Sequence, residues 1–370
     1  MAFTSPSSLT FAPLPPDVSN KSRNHPTSST ALNLFAALHV GGLKVYRASE
    51  LGLLNLKVRV AGVGGSASIE VGRQAKKQLV AVKRSRVLSE ADPNHSPSLA
   101  FDRHFDQLVL ELRILGHRKI RKNPHVVNVV GVCMDEFNGA PALDLVFEYS
   151  DMGSLMSFLV SKGVAISASQ RANLILQVAQ GLAAFHDLRI SHGDVKTQNV
   201  LVFPSSNTEE WLAKVADCGG SLIAPQDNPS AKLVPQTGTR LFNAPEIRKE
   251  RYLLDGGITI EGAMLTDIFS FGLLAWEVCK GGSSFLDPLW VGADLGDMDP
   301  GSIVEVLNGL PTNQLQLYGL VFLGGLGLEE PLQERLSLLL KGSLQDDAEC
   351  RQSMQELIGI LQEPAQEISV

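Results

Sequence analysis

The chain has 370 residues, 44% of them hydrophobic and 19% charged, which excludes disorder throughout and leaves room for one large or two ordinary domains. Its 32 basic and 39 acidic residues give a net charge of −7, which argues against a dominant role on nucleic acid or an anionic membrane surface. Four scattered cysteines, Cys133, Cys218, Cys279 and Cys350, form no C-x-x-C pair, so neither a zinc site nor a disulfide framework follows and a reducing compartment is expected.

Residues 1–30 are rich in Ser, Thr and Pro, with Asp17 as the only acid. That composition reads as a disordered tail rather than an amphipathic, Arg-rich transit helix. Residues 31–55 form a flank without a definite element. From Leu56 the pattern becomes short apolar runs broken by glycine, as in an antiparallel sheet: Leu56, Val58 and Val60 alternate, Gly62-Val63-Gly64-Gly65 interrupts, and Leu79-Val80-Ala81-Val82-Lys83 follows. The spacing predicts a helix over 105–115, with Leu108, Leu112 and Leu115 on one face and Glu111 beside them. Residues 126–133 and 143–149 read as strands. After Gly153 the chain turns helical, most clearly over 169–186, where Leu174, Val178, Leu182 and Phe185 form a stripe. No uninterrupted apolar run reaches the ~18–20 residues of a membrane span, so none is expected. A small β-rich lobe followed by a larger helical one is the coarse reading.

Glycines between two strands, as in Gly62-x-Gly64, let backbone N–H groups approach phosphate oxygens. No G-K-[ST] follows, and a strand rather than a helix comes next, so neither a P-loop nor a Rossmann site is supported. Lys83 ends an apolar strand; alone it reads as a snorkelling surface lysine, but it could also reach inward to phosphate, held by Glu111. The strongest local signal is Ile190-Ser191-His192-Gly193-Asp194-Val195-Lys196-Thr197-Gln198-Asn199-Val200-Leu201-Val202. An ordinary turn has no need of His, Asp, Lys and Asn at these spacings. Asp217-Cys218-Gly219 comes eighteen residues after Asn199. Asn199 and Asp217 could offer oxygen ligands to Mg²⁺, and Asp194 could orient and deprotonate an attacking hydroxyl.

Taken in order, these stretches resemble the protein kinase family over about residues 56–361. The family's glycine loop, V-A-I-K, H-R-D-x-x-x-x-N, D-F-G and A-P-E correspond here to 62–69, Val80-Ala81-Val82-Lys83, 192–199, Asp217-Cys218-Gly219 and Ala244-Pro245-Glu246. Leu145-Val146-Phe147-Glu148-Tyr149 looks like the hinge strand, Thr266-Asp267-Ile268-Phe269-Ser270-Phe271-Gly272 like the central helix of the large lobe, and Arg351 like the partner of Glu246. The resemblance implies an α+β, bilobal protein kinase fold, with the N-lobe over 56–149, the C-lobe over 150–361 and a tail at 362–370. It further implies ATP and Mg²⁺ (or Mn²⁺) as cofactors and proteins as substrates. Lys83, paired with Glu111, would hold phosphates, and Asp217 and Asn199 the metal. Asp194 would take the substrate hydroxyl proton and Lys196 would steady the γ-phosphate. Gly62, Val63, Gly64, Ile69, Ala81 and Leu201 would enclose the nucleotide, with the backbone of 148–150, from Glu148 to Ser150, along the adenine edge.

Four departures stand out. Ala67 replaces the loop's third glycine. Gly193 replaces the arginine that commonly binds an activation-loop phosphate, which suggests activity without that phosphate. Cys218 replaces the D-F-G phenylalanine; it is expected as a small buried hydrophobe, with either a looser active state or a bulkier neighbour filling the gap. Residues 281–328 match poorly. Lys196 and Gly238-Thr239 resemble the serine/threonine kinases, while the hinge looks tyrosine-kinase-like. The expectation is a cytoplasmic, ATP-dependent serine/threonine kinase in signalling. A kinase-fold scaffold without phosphotransfer and a small-molecule phosphotransferase are the competing readings.

Overall fold

The computed structural model describes residues 42–52, 57–58, 67–74, 78–85, 97–137, 140–162, 165–205, 210–225, 227–235, 238–287 and 299–362. The smaller lobe is a six-stranded sheet built from β1 (Lys44–Arg47), β2 (Lys57–Val58), β3 (Ala67–Arg73), β4 (Leu79–Ser85), β5 (Val129–Phe137) and β6 (Ala140–Glu148). Their order across the sheet is β1-β5-β6-β4-β3-β2. Helices α1 (Pro97–Gly116) and α2 (Arg118–Arg121) lie between β4 and β5 in the chain.

Period-two alternation decides which face each strand residue serves. Val80 and Val82 of β4 and Val146 of β6 point to one face, where Tyr46, Leu51 and Cys133 join them in a small cluster. Ala81 and Lys83 point to the other, as do Leu145 and Phe147, which pack in the main core with Leu108, Leu112 and Leu115 of α1. The predicted apolar stripe is therefore the buried face of α1, which extends to Pro97, beyond the predicted 105–115.

The flank that had no assigned element supplies β1. It runs parallel to β5, with Lys44 opposite Gly131. A Cβ on Gly131 would lie 2.1 Å from the Lys44 carbonyl oxygen, so only glycine admits this strand.

The larger lobe begins with α3 (Leu155–Lys162) and α4 (Ala168–His186). A capping box between Ser167 and Gln170 starts α4, and Leu174, Val178, Leu182 and Phe185 are all buried as the stripe requires. Short strands follow: β7 (Ile190–Ser191), β8 (Val200–Pro204), β9 (Trp211–Val215) and β10 (Leu222–Ile223), paired as β7–β10 and β8–β9. Helices α5 (Pro245–Arg248), α6 (Arg251–Leu254), α7 (Ile260–Cys279), α8 (Pro300–Gly309), α9 (Gln314–Gly324), α10 (Glu330–Ser343) and α11 (Met354–Gln362) complete the lobe. α7 is mostly apolar because most of it is buried, with Phe269, Phe271, Leu273, Leu274 and Trp276 fully enclosed. Among the described residues it is the one helix long and apolar enough to cross a membrane, and most of it is covered by the lobe. The poorly matching stretch 281–328 contains α8 and α9; its residues 288–298 lie outside the described ones.

Candidate active site

Lys83 stands in the middle of the sheet, opposite Ile69 on β3 and Leu145 on β6. Its Nζ donates to Glu111 of α1 at 2.8 and 3.1 Å and to Asp217 Oδ1 at 2.7 Å. Glu111 is buried, so it is not the solvated helix residue it could have been, and Lys83 does not snorkel to the surface. Burial opposes the charge on Lys83, but Asp217 and Glu111 outweigh it and hold the ammonium's pKa above the ordinary lysine value. Lys83 in turn pulls Asp217 down to about 2. Burial pushes the Glu111 carboxyl up against the pull of Lys83.

The 190–202 segment closes around Asp194. Its carboxylate accepts from Lys196 Nζ at 2.6 Å, from the Thr239 backbone N–H at 2.9 Å and from Asn199 Nδ2 at 2.7 Å. Lys196 also donates to Thr239 Oγ1 at 2.5 Å, tying the segment before Ala244-Pro245-Glu246 to the loop. Burial would raise the Asp194 pKa; Lys196 and the Thr239 amide reverse the sign and keep it below the usual range. Asn199 ends a 3-10 turn, and its carbonyl accepts from the Ala216 N–H at 2.8 Å, which sets Asp217 one residue away.

Two supports were not singled out from the sequence. Asp267, deep in α7, accepts from the His192 N–H at 2.7 Å and the Gly193 N–H at 2.9 Å, and lies 3.0 Å from His186 Nε2. Glu277, one helix face further along, accepts the Thr197 hydroxyl at 2.8 Å. An acid inside an otherwise apolar helix was the available signal for both, since a buried carboxylate must find donors.

The departures acquire physical reasons. Gly193 has φ +78°, and a Cβ there would lie 2.2 Å from the Gly220 carbonyl oxygen. No arginine fits this backbone. Cys218 is fully buried, and burial pushes its thiol well above the ordinary value, so it is a packing residue and not a thiolate. The segment is fastened to α1 by Gln107, whose Nε2 donates to the Gly219 carbonyl at 3.0 Å. Asp217 itself is left-handed, φ 64°, a strained conformation held by its bonds to Lys83 and to the Gly219 N–H.

Around the cleft, Ala81 and Leu201 are half-buried and Phe147 is buried at the hinge. The Glu148 N–H donates to the Asn128 carbonyl at 3.1 Å and is thereby withdrawn from contact with a nucleotide. Its carboxylate is engaged by Lys214 at 2.8 and 2.9 Å. Ser150 donates its hydroxyl to the Val202 carbonyl. Ile69 lies in β3, whereas Gly62, Val63 and Gly64 lie outside the described residues. Among the described residues no group of three or more His, Cys, Asp or Glu could hold a metal. Asp217, 45% exposed, and Asn199 carry hard oxygens of the kind that suits a cation keeping several waters.

A lysine paired to a helix glutamate across a β-rich lobe, above a loop built on Asp194, defines a phosphotransferase of the bilobal kind. The family model described as protein kinase domain matches residues 56–359, and the chain belongs to that family. Among similar proteins is the receptor-like serine/threonine-protein kinase NCRK of Arabidopsis thaliana, 30% identical over 82% of this chain and 49% of that protein. The LRR receptor-like serine/threonine-protein kinase FEI 2 of the same plant is 31% identical over 60% of this chain and 32% of its own length. Its wall-associated receptor kinase 3 is 27% identical over 65% and 31%. The chain thus spans half or less of these relatives. The first two of these relatives are named serine/threonine-protein kinases. Those names, receptor-like and wall-associated, also stand against the cytoplasmic location expected from composition, and that expectation is withdrawn.

Proposed function

We propose that this chain transfers the γ-phosphate of ATP to serine or threonine hydroxyls of proteins, and that it does so in signalling. The observation that carries the reading is the Lys83 ammonium held at once by Glu111 and Asp217, beside a cluster that fixes Asp194, Lys196, Asn199 and Thr239 to one another. In this reading the catalytic unit is 56–361, with its lobes meeting near 149–150. Lys83 binds the phosphates, Ala81 and Leu201 flank the adenine, and Lys196 steadies the transferred group. Asp217 and Asn199 would hold a divalent cation, Mg²⁺ or Mn²⁺, which would neutralise phosphate charge. Asp194, ionised at neutral pH, orients the attacking hydroxyl and takes up its proton at the carboxylate. Gly193 carries no cation toward an activation-loop phosphate, so activity does not wait on that modification. The comparisons lend no support to a scaffold without phosphotransfer.

The test is phosphate transfer to a generic basic protein, and to the chain itself, by wild type and Asp194→Asn with Mg²⁺ or Mn²⁺. The substitution should lower the rate by about 10²–10⁴-fold without shifting the melting temperature appreciably. Equal background from both proteins would remove the assignment.

A further inference from the structure

Arg248 closes α5, two residues after Glu246, and is 5% exposed. Among the described residues its Nε and Nη1 have no hydrogen-bond partner. Neither nearby carboxylate bonds it: both Glu246 oxygens accept from Arg351, at 2.7 and 2.9 Å, and Asp346, whose Oδ2 accepts from the Asn313 N–H at 3.1 Å, acts on Arg248 only through its charge. The guanidinium is left over the face of Phe269, 5.8 Å from the ring centroid. Burial lowers its pKa to about 10, which still leaves it charged at neutral pH. Asp346 and Glu246 offset the charge from a distance, but two buried N–H groups without an acceptor are a costly arrangement that an added acceptor would relieve.

Arg248 lines a small cleft, open to solvent, between α5, α8 and α9. Lys249 and Asp346 line it too, and Leu307, Leu310 and Leu315 give it apolar walls. None of these residues belongs to the cluster around Asp194.

We propose that this cleft is a second binding site, for a carboxylate or phosphate group carried on an apolar stem, with Arg248 as its principal anion ligand. The two unsatisfied N–H groups call for an acceptor bearing full negative charge. Lys249 adds a second cation and the Asp346 carboxylate subtracts one, so the cleft favours a group of low charge over a polyanion. The leucine walls account for the stem. Both nitrogens are closed to bulk water, and binding therefore includes a turn of the Arg248 side chain toward the cleft.

The experiment follows the melting temperature of the full chain against inorganic phosphate, phenyl phosphate and acetate, in wild type, Arg248→Met, Lys249→Ala and Lys83→Met. A saturable rise is expected in wild type, at several-fold lower concentration for phenyl phosphate than for inorganic phosphate. Acetate tests whether a carboxylate alone suffices. Lys83→Met should keep the rise, which separates this site from the nucleotide cleft. Arg248→Met should lose it, and Lys249→Ala should need several-fold more ligand. If Arg248→Met fails to fold, Lys249→Ala decides. A rise that is unsaturable, equal in wild type and Lys249→Ala, or abolished by Lys83→Met overturns the proposal and leaves Arg248 an internal cation satisfied by trapped water.

Discussion

Lys83, half-buried in the cleft, and Arg351, buried in the large lobe, are both cations holding carboxylates, yet their surroundings differ in kind. Arg351 meets one carboxylate, Glu246, and spends its remaining N–H groups on the carbonyls of Gln345, Leu265 and Asp346 at 2.8, 2.9 and 3.3 Å. Its side chain is fully enclosed, and charge and hydrogen bonds close within the protein. Lys83 meets two carboxylates, one of them 45% exposed, so the group keeps one uncompensated negative charge facing the cleft. A closed network holds a fold together, whereas an open one is poised for an outside cation and its phosphates.

The difference can be broken open by mutation, and the largest effect should fall on the open side. Lys83→Met should reduce phosphate transfer by about 10³-fold or more, equivalent to ~4 kcal/mol of barrier, with the melting temperature little changed. Arg351→Met should do the reverse. It leaves Glu246 half-buried and unpaired and should cost about 3 kcal/mol of stability in denaturant unfolding, with active-site binding spared in the folded fraction. If both variants lost activity and stability in proportion, the contrast would be empty.

Glu277 sharpens the comparison as a buried carboxyl whose bonds are to neutral donors. Burial raises it from 4.5 to about 7, against the Thr197 hydroxyl, the Phe285 N–H and the more distant Lys280, with Asp287 adding to the rise. Because its folded pKa lies above its unfolded one, the folded state binds the proton more tightly between those values. Its contribution is therefore complete below pH 4.5 and is lost as pH rises to about 7. Denaturant unfolding should show wild type losing about 2–3 kcal/mol over that window relative to Glu277→Gln, which keeps an acceptor for Thr197. Parallel pH profiles would place Glu277 among ordinary carboxylates. The smallest effect belongs to the surface: Arg189 and Glu261 form an ion pair with both side chains about half exposed, and Arg189→Gln should change stability by less than ~1 kcal/mol.

Much of the fold was legible because local pattern and burial agree. Leu108, Leu112 and Leu115 lie on the buried face of one helix, and Leu174 to Phe185 on that of another. Glu111 was identifiable as the partner of Lys83 from its place beside an apolar stripe, although 28 residues separate the two. What could not be read depended on distant partners. β1 is four residues long and pairs with a strand that begins at Val129, and the feature admitting it is the missing Cβ of Gly131. Gln107 fastens a segment more than a hundred residues away through an ordinary amide. Arg248 was invisible for the opposite reason: its distinction is two nitrogens without a hydrogen-bond partner among the described residues, and absence leaves no spacing.

The position of β1 has a practical consequence for handling the protein. Without residues 44–47, β5 would become the outermost strand and offer its backbone N–H and C=O groups to any passing chain. With them, the last strand is short and exposes Lys44 and Arg47. Two like charges there make stacking of one molecule on another unfavourable, so a chain begun at the matched family boundary of residue 56 should be more prone to aggregate than one begun before Lys44.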